Sequence, residues 1–325
     1  MVLVAVLGAG LVQTLGEPPA PGSHAEKLVV IPSGAGTLGV GQVLRRNGLI
    51  RSAAYFDAIA LLSGASTRLE AGTYEMGPGM GPFTILRRLV AGATATVRVT
   101  VIPGSTVREV AASLARAHLF SSKTFLNYAD HAKPPPGFTE SKAVRDPLEG
   151  FLFPDTYKIP LGSTPAQVVA MMKTAFEAAF PETDRRAALR EGLSPLQVLT
   201  LASIVEREAK FESERPTIAG VFLNRLRRHM PLQSDATVVY AARVVGGTLT
   251  AQDLRVKSPY NTYAVTGLPP GPIANPGRAS IEAALHPAHV PYLFFYGLPD
   301  GRHIFSRTYA GQLRAERTYG NKGSR

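Results

Sequence analysis

Apolar and polar positions divide this chain into short periodic segments punctuated by glycine and proline. The stretch VIPSGAGTLGVGQVLRRNGLIRSAAYF, from Val30, leads from a short apolar strand through a turn into an apolar-periodic helix. It then passes a serine-bearing turn into an aromatic helix. The stretch VIPGSTVREVAASLARAHLFSSKTFL, from Val101, repeats the same order. Farther along, Leu69-Glu70 and Thr73-Tyr74 match Leu148-Glu149 and Thr156-Tyr157. Each match is followed by a Gly/Pro turn and another helix, Pro82 to Leu89 in one copy and Pro165 to Met172 in the other. The pattern predicts two copies of a strand–helix–helix–strand unit and an α+β fold.

Beyond Pro181 the texture changes. Ser194-Pro195-Leu196-Gln197 has the form of a capping box with proline at the first helical position. Val198, Leu201, Ala202, Val205 and Ala209 follow at helical spacing and predict one buried stripe. A second helix is predicted from about Pro216 to Arg228, with Ser213, Glu214 and Arg215 at its start, and a third is predicted to be capped by Ser280. Between them, MPLQSDATVVY reads as an extended stretch in which Gln233, Ser234 and Asp235 form a polar triplet of the kind turns use. The stretch from Ser258 to Gly277 is long, irregular and rich in proline and glycine, features that accompany functional loops as well as rigid packing.

The N-terminal run MVLVAVLGAGLVQTLG, residues 1–16, is apolar but short of the roughly 20 residues of a spanning helix. With the proline-rich segment 17–27 behind it as a linker, it reads as the C-terminal part of a membrane anchor. Net charge is +11 over 325 residues, which favours anionic partners. Lys and Arg are scattered rather than interleaved with aromatics, so the pattern does not point to nucleic acid. Cysteine is absent, which excludes disulfides, thiolate metal sites and a cysteine nucleophile.

Two motifs are weaker than they look. Gly34-Ala-Gly36-Thr-Leu-Gly39 matches a dinucleotide-binding fingerprint. The second copy makes the same turn with Gly104-Ser105-Thr106 and no fingerprint, so the local shape needs no pyrophosphate and no nucleotide is expected. His286 and His289 flank Pro287 without an evident third ligand, and no metal or other cofactor is expected.

Chemistry is expected where LASIVEREAKFESERP turns from apolar to charged. Glu206 lies at the border of the buried stripe, an environment that raises a carboxyl's proton affinity. Glu208, Glu212 and Glu214 fall in a polar tract and are expected to be ordinary. Asn224 sits in an otherwise apolar helix, to face a cleft or to bond a loop. Tyr260, Tyr263, Asn261 and Asn275 would suit a sugar ring with its apolar face and hydroxyl rim, or would pack a rigid loop.

The ordered set EGFLFPDTY, LASIVEREA, VFLNRL, LQSDATVVY, SPYNTY, GLPPGPIANPG, ALHPA and YLFFYGLPDGRHIFS resembles the YceG-like family of endolytic murein transglycosylases, from about Val30 to the C-terminus. The resemblance implies residues 28–95 as a LysM-like module and 96–325 as a mixed α/β catalytic domain, in which 96–175 repeats the first module. A spacer that binds nothing is the alternative for the repeats. The resemblance further implies cleavage of nascent peptidoglycan between MurNAc and GlcNAc to leave 1,6-anhydro ends, with Glu206 as general acid and base. Candidate substrate contacts are Glu149, Asn224, Gln233, Ser234, Asp235, Tyr240, Tyr260, Asn261 and Asn275. Glycan strands, the cytoplasmic membrane and cell-wall synthases are the partners the resemblance implies, with a single-pass anchor and the catalytic domain on the outer side. A glycan-binding scaffold without catalysis, and a muramidase using water with Asp235 or Glu149 as second carboxylate, are the rival readings.

Overall fold

The computed structural model describes residues 13–138, 143–190, 192–244 and 249–320. Most of the anchor expected at 1–16 lies outside them. Among the described residues no helix is long and apolar enough to cross a membrane. The chain forms two units: residues 1–98 with 158–163, and residues 99–157 with 164–325.

In the first unit, β1 (Lys27–Ile31) is followed by α1 (Thr37–Arg46), α2 (Ala53–Leu62), β2 (Gly72–Met76) and α3 (Pro82–Val90). β1 and β2 pair antiparallel, with Val29 opposite Tyr74. One face of this hairpin, carrying Val29, Ile31, Tyr74 and Met76, is buried against Val40, Leu44, Phe56, Ile85 and Leu89 of the helices. Fully burying side chains of this size stabilises by about 1.5–3 kcal/mol each.

The same order recurs as β3 (Thr96–Thr100), α4 (Val107–Arg116), α5 (Ser122–Ala129), β4 (Thr156–Pro160) and α6 (Pro165–Ala179), with β3 paired to β4. The likeness extends to detail. The hydroxyl of Tyr74 donates to the carbonyl of Glu70 at 2.7 Å, and that of Tyr157 donates to the carbonyl of Phe153 at 2.6 Å, each four residues back. The turn after each Ile-Pro carries one glycine at positive φ, Gly34 at 76° and Gly104 at 80°. Such backbone is open to glycine at little cost, so the turn itself explains the fingerprint glycine.

The second unit continues with α7 (Glu182–Arg190), α8 (Pro195–Glu208), α9 (Arg215–Arg227), α10 (Asp235–Ala242), α11 (Arg278–Leu285) and α12 (Tyr309–Tyr319). An antiparallel hairpin of β5 (Phe294–Gly297) and β6 (His303–Ser306) precedes α12. The capping box opens α8 as expected, with Ser194 Oγ accepting from the Gln197 N–H at 3.2 Å and Gln197 Oε1 accepting from the Ser194 N–H at 2.8 Å. α8 buries more than a stripe: every residue from Val198 to Val205 is inside. A helix apolar all round belongs at the centre of its domain, and α11, α9 and α10 pack on it.

Three local expectations are corrected. Gln233, Ser234 and Asp235 do not sit on a strand: the segment turns at Gln233, whose φ is +50°, and α10 begins at Asp235. Val238, Tyr240 and Ala241 then bury one side of a helix, at a period the short apolar run could not distinguish from a strand's. Ser280 lies inside α11 rather than at its cap, which is Gly277. Glu214 stands at the N-terminus of α9 but makes no side-chain cap there.

Candidate active site

Glu206 and Glu208 close α8 two residues apart. At 3.6 residues per turn they face different directions, and the fold gives them different surroundings. Glu206 is only 6% exposed at its side chain. Its Oε1 accepts from the Arg215 guanidinium at 3.0 Å and its Oε2 from the Gly277 N–H at 2.9 Å. Arg215 is held in turn by Ser280 Oγ at 2.9 Å. Gly277 is close-packed here: a Cβ at that position would lie 3.4 Å from Glu206 Oε2 and 3.4 Å from Pro103. Glu206 thus fastens the end of α8 to the starts of α9 and α11.

Glu208 is not the ordinary surface carboxylate expected. Burial pushes its pKa up, and nearby Asp235 adds to the rise, against the Ser234 hydrogen bond and the charges of His303 and Arg207. The Ser234 hydroxyl donates to Glu208 Oε1 instead of capping α10. Ser234 is itself fixed, because its N–H donates to the Thr262 hydroxyl at 3.1 Å. Glu208 lines a cavity of about 700 Å³ with Asp235, Gln233, Arg225, Tyr263 and His303. Phe294, Tyr296 and Tyr309 supply aromatic rings to the same cavity, and Gln312 an amide. The size and the mix of ring faces with a few polar groups fall within the range of ligand sites.

The polar groups of the cavity are held by partners behind it. The Tyr263 hydroxyl donates to Asp235 Oδ1 at 2.6 Å. Burial and the Asp235 carboxylate push the Tyr263 hydroxyl's pKa well above its ordinary value. The His303 N–H donates to Glu214 Oε1 at 3.1 Å, and its Nδ1 lies 2.8 Å from Glu214 Oε2. Glu214 therefore serves the β6 histidine rather than its own helix. Arg225, in α9, is 7% exposed. It donates to the carbonyls of Leu293 at 2.6 Å and Leu232 at 2.8 Å, and lies over the Phe294 ring.

The suggested substrate contacts separate into three groups. Gln233, Ser234 and Asp235 meet at the Glu208 cavity. Glu149 and Tyr240 line a different cavity, of about 420 Å³. Glu149 is 2% exposed; its Oε1 accepts from the Val107 N–H at 3.0 Å and from Asn275 Nδ2 at 3.4 Å. Burial, then the neighbouring Asp146, hold its pKa well above the usual carboxylate range.

Asn224, Tyr260, Asn261 and Asn275 spend polar atoms on the fold. Asn224 Nδ2 donates to the carbonyls of Val290 and Tyr292, the loop-bonding alternative. Asn261 is fully buried, donating to the carbonyls of Leu254 and Val256 at 2.9 Å and accepting from the Tyr263 N–H at 3.0 Å. The Tyr260 hydroxyl accepts from the Arg145 N–H, and its ring packs on Tyr240. Asn275 Oδ1 accepts from the Leu152 N–H at 2.9 Å while its Nδ2 donates to the Ser105 carbonyl at 2.8 Å. The loop 258–277 does flank the two glutamates, but through Tyr263 at the Glu208 cavity and Gly277 at Glu206. Sequence reasoning passed over His303 and Arg225, and read Glu214 and Arg215 only as the start of a helix. Arg225 carried a usable signal, an arginine within the run Phe222-Leu223-Asn224-Arg225-Leu226 of a helix bound for the core, where an unpaired charge is rare. Among the described residues no group of His, Asp and Glu is arranged to hold a metal ion.

A model of the YceG-like family matches residues 29–318. The endolytic murein transglycosylase of Bacillus subtilis (strain 168) is 36% identical over 321 residues, an alignment covering 94% of this chain and 88% of that protein. The protein of the same name from Streptococcus pneumoniae serotype 2 (strain D39 / NCTC 7466) is 30% identical over 300 residues, covering 82% of this chain; the match spans 53% of that longer relative. A crystal structure of a yceG-like protein from Listeria monocytogenes superposes with a TM-score of 0.63 at 31% identity, covering 90% of this chain and all of that one. With a family model spanning nearly all of the described chain and relatives at 30% identity or more along most of its length, this chain belongs to the YceG-like family.

Proposed function

We propose that this protein is an endolytic peptidoglycan lytic transglycosylase. It cuts nascent glycan strands between MurNAc and GlcNAc, leaves 1,6-anhydro-MurNAc ends, and so helps terminate strand elongation in cell-wall assembly. The family membership supports the reaction. The observation that carries the site is a carboxyl with raised proton affinity, Glu208, on the wall of an aromatic-lined cavity of about 700 Å³. Sequence resemblance points to Glu206. The geometry supports Glu208, because both Glu206 oxygens already accept from structural donors, whereas Glu208 faces space a sugar can occupy.

A lytic reaction asks one carboxyl to work twice. Protonated Glu208 gives its proton to the glycosidic oxygen, and the bond from that oxygen to the muramyl anomeric carbon breaks. Glu208, now ionised, takes the proton of the C6 hydroxyl of the same ring, and that oxygen bonds to the anomeric carbon. No water is consumed and the acid is regenerated. The intramolecular nucleophile replaces the second carboxylate of ordinary glycosidases. Proton affinity raised by burial keeps a larger protonated fraction near neutral pH, as acid catalysis requires. Asp235 and Gln233 are proposed as contacts to sugar hydroxyls, Tyr263 and Tyr309 as ring-stacking faces, and Ser234 as the group that orients Glu208.

Asp235 shares the Glu208 cavity, which gives the water-using muramidase its one supporting observation. Mass spectrometry of digested strands separates the two: anhydro ends are lighter than reducing ends by one water. Anhydro ends from the wild type and none from Glu208→Gln support the proposal; reducing ends favour the muramidase, and uncut strands favour a scaffold. The strand–helix–helix–strand order of residues 28–95 supports a LysM-like role in holding glycan. The apolar run 1–16 supports a single-pass anchor in the cytoplasmic membrane, with the catalytic unit on the outer side, where cell-wall synthases would be neighbours.

A further inference from the structure

The second cavity has a chemistry that the cutting reaction leaves unused. It shares walls with the first. α8 contributes Glu208 to the first cavity and Arg207 to the second, and α10 contributes Asp235 to the first and Val239 and Tyr240 to the second, with Arg243 just past its end. Four arginines line it: Arg108 on α4, Arg145, Arg207 and Arg243. Arg145 is committed, donating to the carbonyls of Tyr240 and Ala241 and lying over the Tyr240 and Tyr260 rings. Arg207 gives one N–H to the Gly104 carbonyl at 3.2 Å. Arg108 and Arg243 are exposed and join no ion pair among the described residues.

The cavity's carboxyls are otherwise engaged. Glu109 accepts from Thr106 in the capping box of α4. Asp146 Oδ2 accepts from the Tyr240 hydroxyl at 2.9 Å. Glu149, 2% exposed, accepts from the Val107 N–H and from Asn275 Nδ2, and burial, then the neighbouring Asp146, push its pKa up. What faces a ligand is therefore a cationic rim around a partly apolar hollow of about 420 Å³. A guanidinium with free N–H groups suits a carboxylate, which it can meet with two parallel hydrogen bonds.

We propose that this cavity binds a free carboxylate of the stem peptide that a muramyl residue carries, and so selects peptide-bearing strands for cutting. The proposal rests on the transglycosylase reading. Muramic acid is the sugar on one side of the broken bond, and its lactyl ether directs the peptide away from the ring. A strand seated against Glu208 can thus present its peptide to a pocket walled by the same two helices.

The test uses the full chain, with Arg108→Gln and Arg243→Asn singly and combined. Asparagine is chosen at 243 because that residue sits at φ +55°, where asparagine is tolerated. Three uncrosslinked substrates are compared: strands with native stem peptides, strands whose stem carboxylates are amidated, and peptide-free strands with a bare lactyl carboxylate. The readout is the ratio of kcat/KM on native to amidated strands, with melting temperature measured for each variant. The wild type is expected to favour native strands, and each arginine removed to lower the ratio by up to roughly fivefold, the size of an exposed ion pair. The double variant is expected to bring the ratio close to one. A wild-type ratio near one, or a ratio unchanged in the double variant, overturns the proposal. So does a loss confined to the peptide-free strands, which would assign the site to the lactyl carboxylate. Failure of the wild type to cut any of the three would instead overturn the transglycosylase reading itself.

Discussion

Replacing Glu206 and Glu208 separately by glutamine should give opposite results, because the two carboxyls do different physical work. Glu206 and Arg215 form an ion pair at 3.0 Å with side chains 6% and 11% exposed, so solvent screens it little. Glutamine keeps the shape and can still accept one hydrogen bond. It then presents an amide NH₂ to either the Arg215 guanidinium or the Gly277 N–H, both donors, and leaves a buried cation without its counter-charge. Removing one partner of a buried pair costs about 3–5 kcal/mol. For a unit of this size that corresponds to a melting temperature lower by roughly 6–20 °C. Glu208→Gln removes the transferable proton, and loss of a general acid typically costs about 10²–10⁴ in rate. Its stability effect has the other sign. A carboxyl whose proton affinity rises on folding favours the native state less as pH climbs through its native pKa, and glutamine does not ionise. At pH 7.5 the Glu208→Gln melting temperature should therefore equal or exceed that of the wild type. Thermal unfolding and mass spectrometry of cut strands read both variants. Near wild-type cutting by Glu208→Gln, together with an inactive Glu206→Gln of unchanged melting temperature, would refute the reasoning and return the acid to Glu206.

The pH profile of kcat/KM should fall as pH rises and Glu208 loses its proton, at a higher pH than an ordinary carboxyl would give. His303→Gln should move that fall to higher pH, since His303 lowers the proton affinity of Glu208; an unmoved limb refutes the assignment. Glu149→Gln should raise the melting temperature progressively from acid to alkaline pH relative to wild type. The native pKa of Glu149 is raised, so its destabilising ionisation is absent at low pH and grows toward that value; parallel wild-type and variant profiles count against this. Asn261→Ala, which strips hydrogen bonds from two carbonyls and one N–H in a fully buried setting, should cost about 1–3 kcal/mol in stability. Activity per folded molecule should then be unchanged, and a large fall in kcat/KM at constant melting temperature would restore Asn261 to the substrate.

Legibility in the sequence followed the range of the interactions involved. The capping box of α8, the glycine turns after each Ile-Pro and the repeated strand–helix–helix–strand order were all readable, because each is decided by residues within a few positions of one another. The α10 segment failed on the same criterion. Its apolar run fits either period, and the helix depends on burying Val238, Tyr240 and Ala241. The choice between Glu206 and Glu208 could not be local at all, since both end the same helix amid similar neighbours. Tertiary structure gives the two carboxyls different surroundings by bringing Gly277, 71 residues away, to Glu206 and Ser234, 26 residues away, to Glu208. Likewise Tyr260 and Asn261 have the composition of a sugar site, and only packing shows their polar atoms bonded to Arg145, Leu254 and Val256. The sequence by itself determined the capped helix α8, the repeat and the family. Only the tertiary structure decided which polar groups were satisfied within the protein and which were left facing open space, because that depends on which distant segment arrives to complete each hydrogen bond.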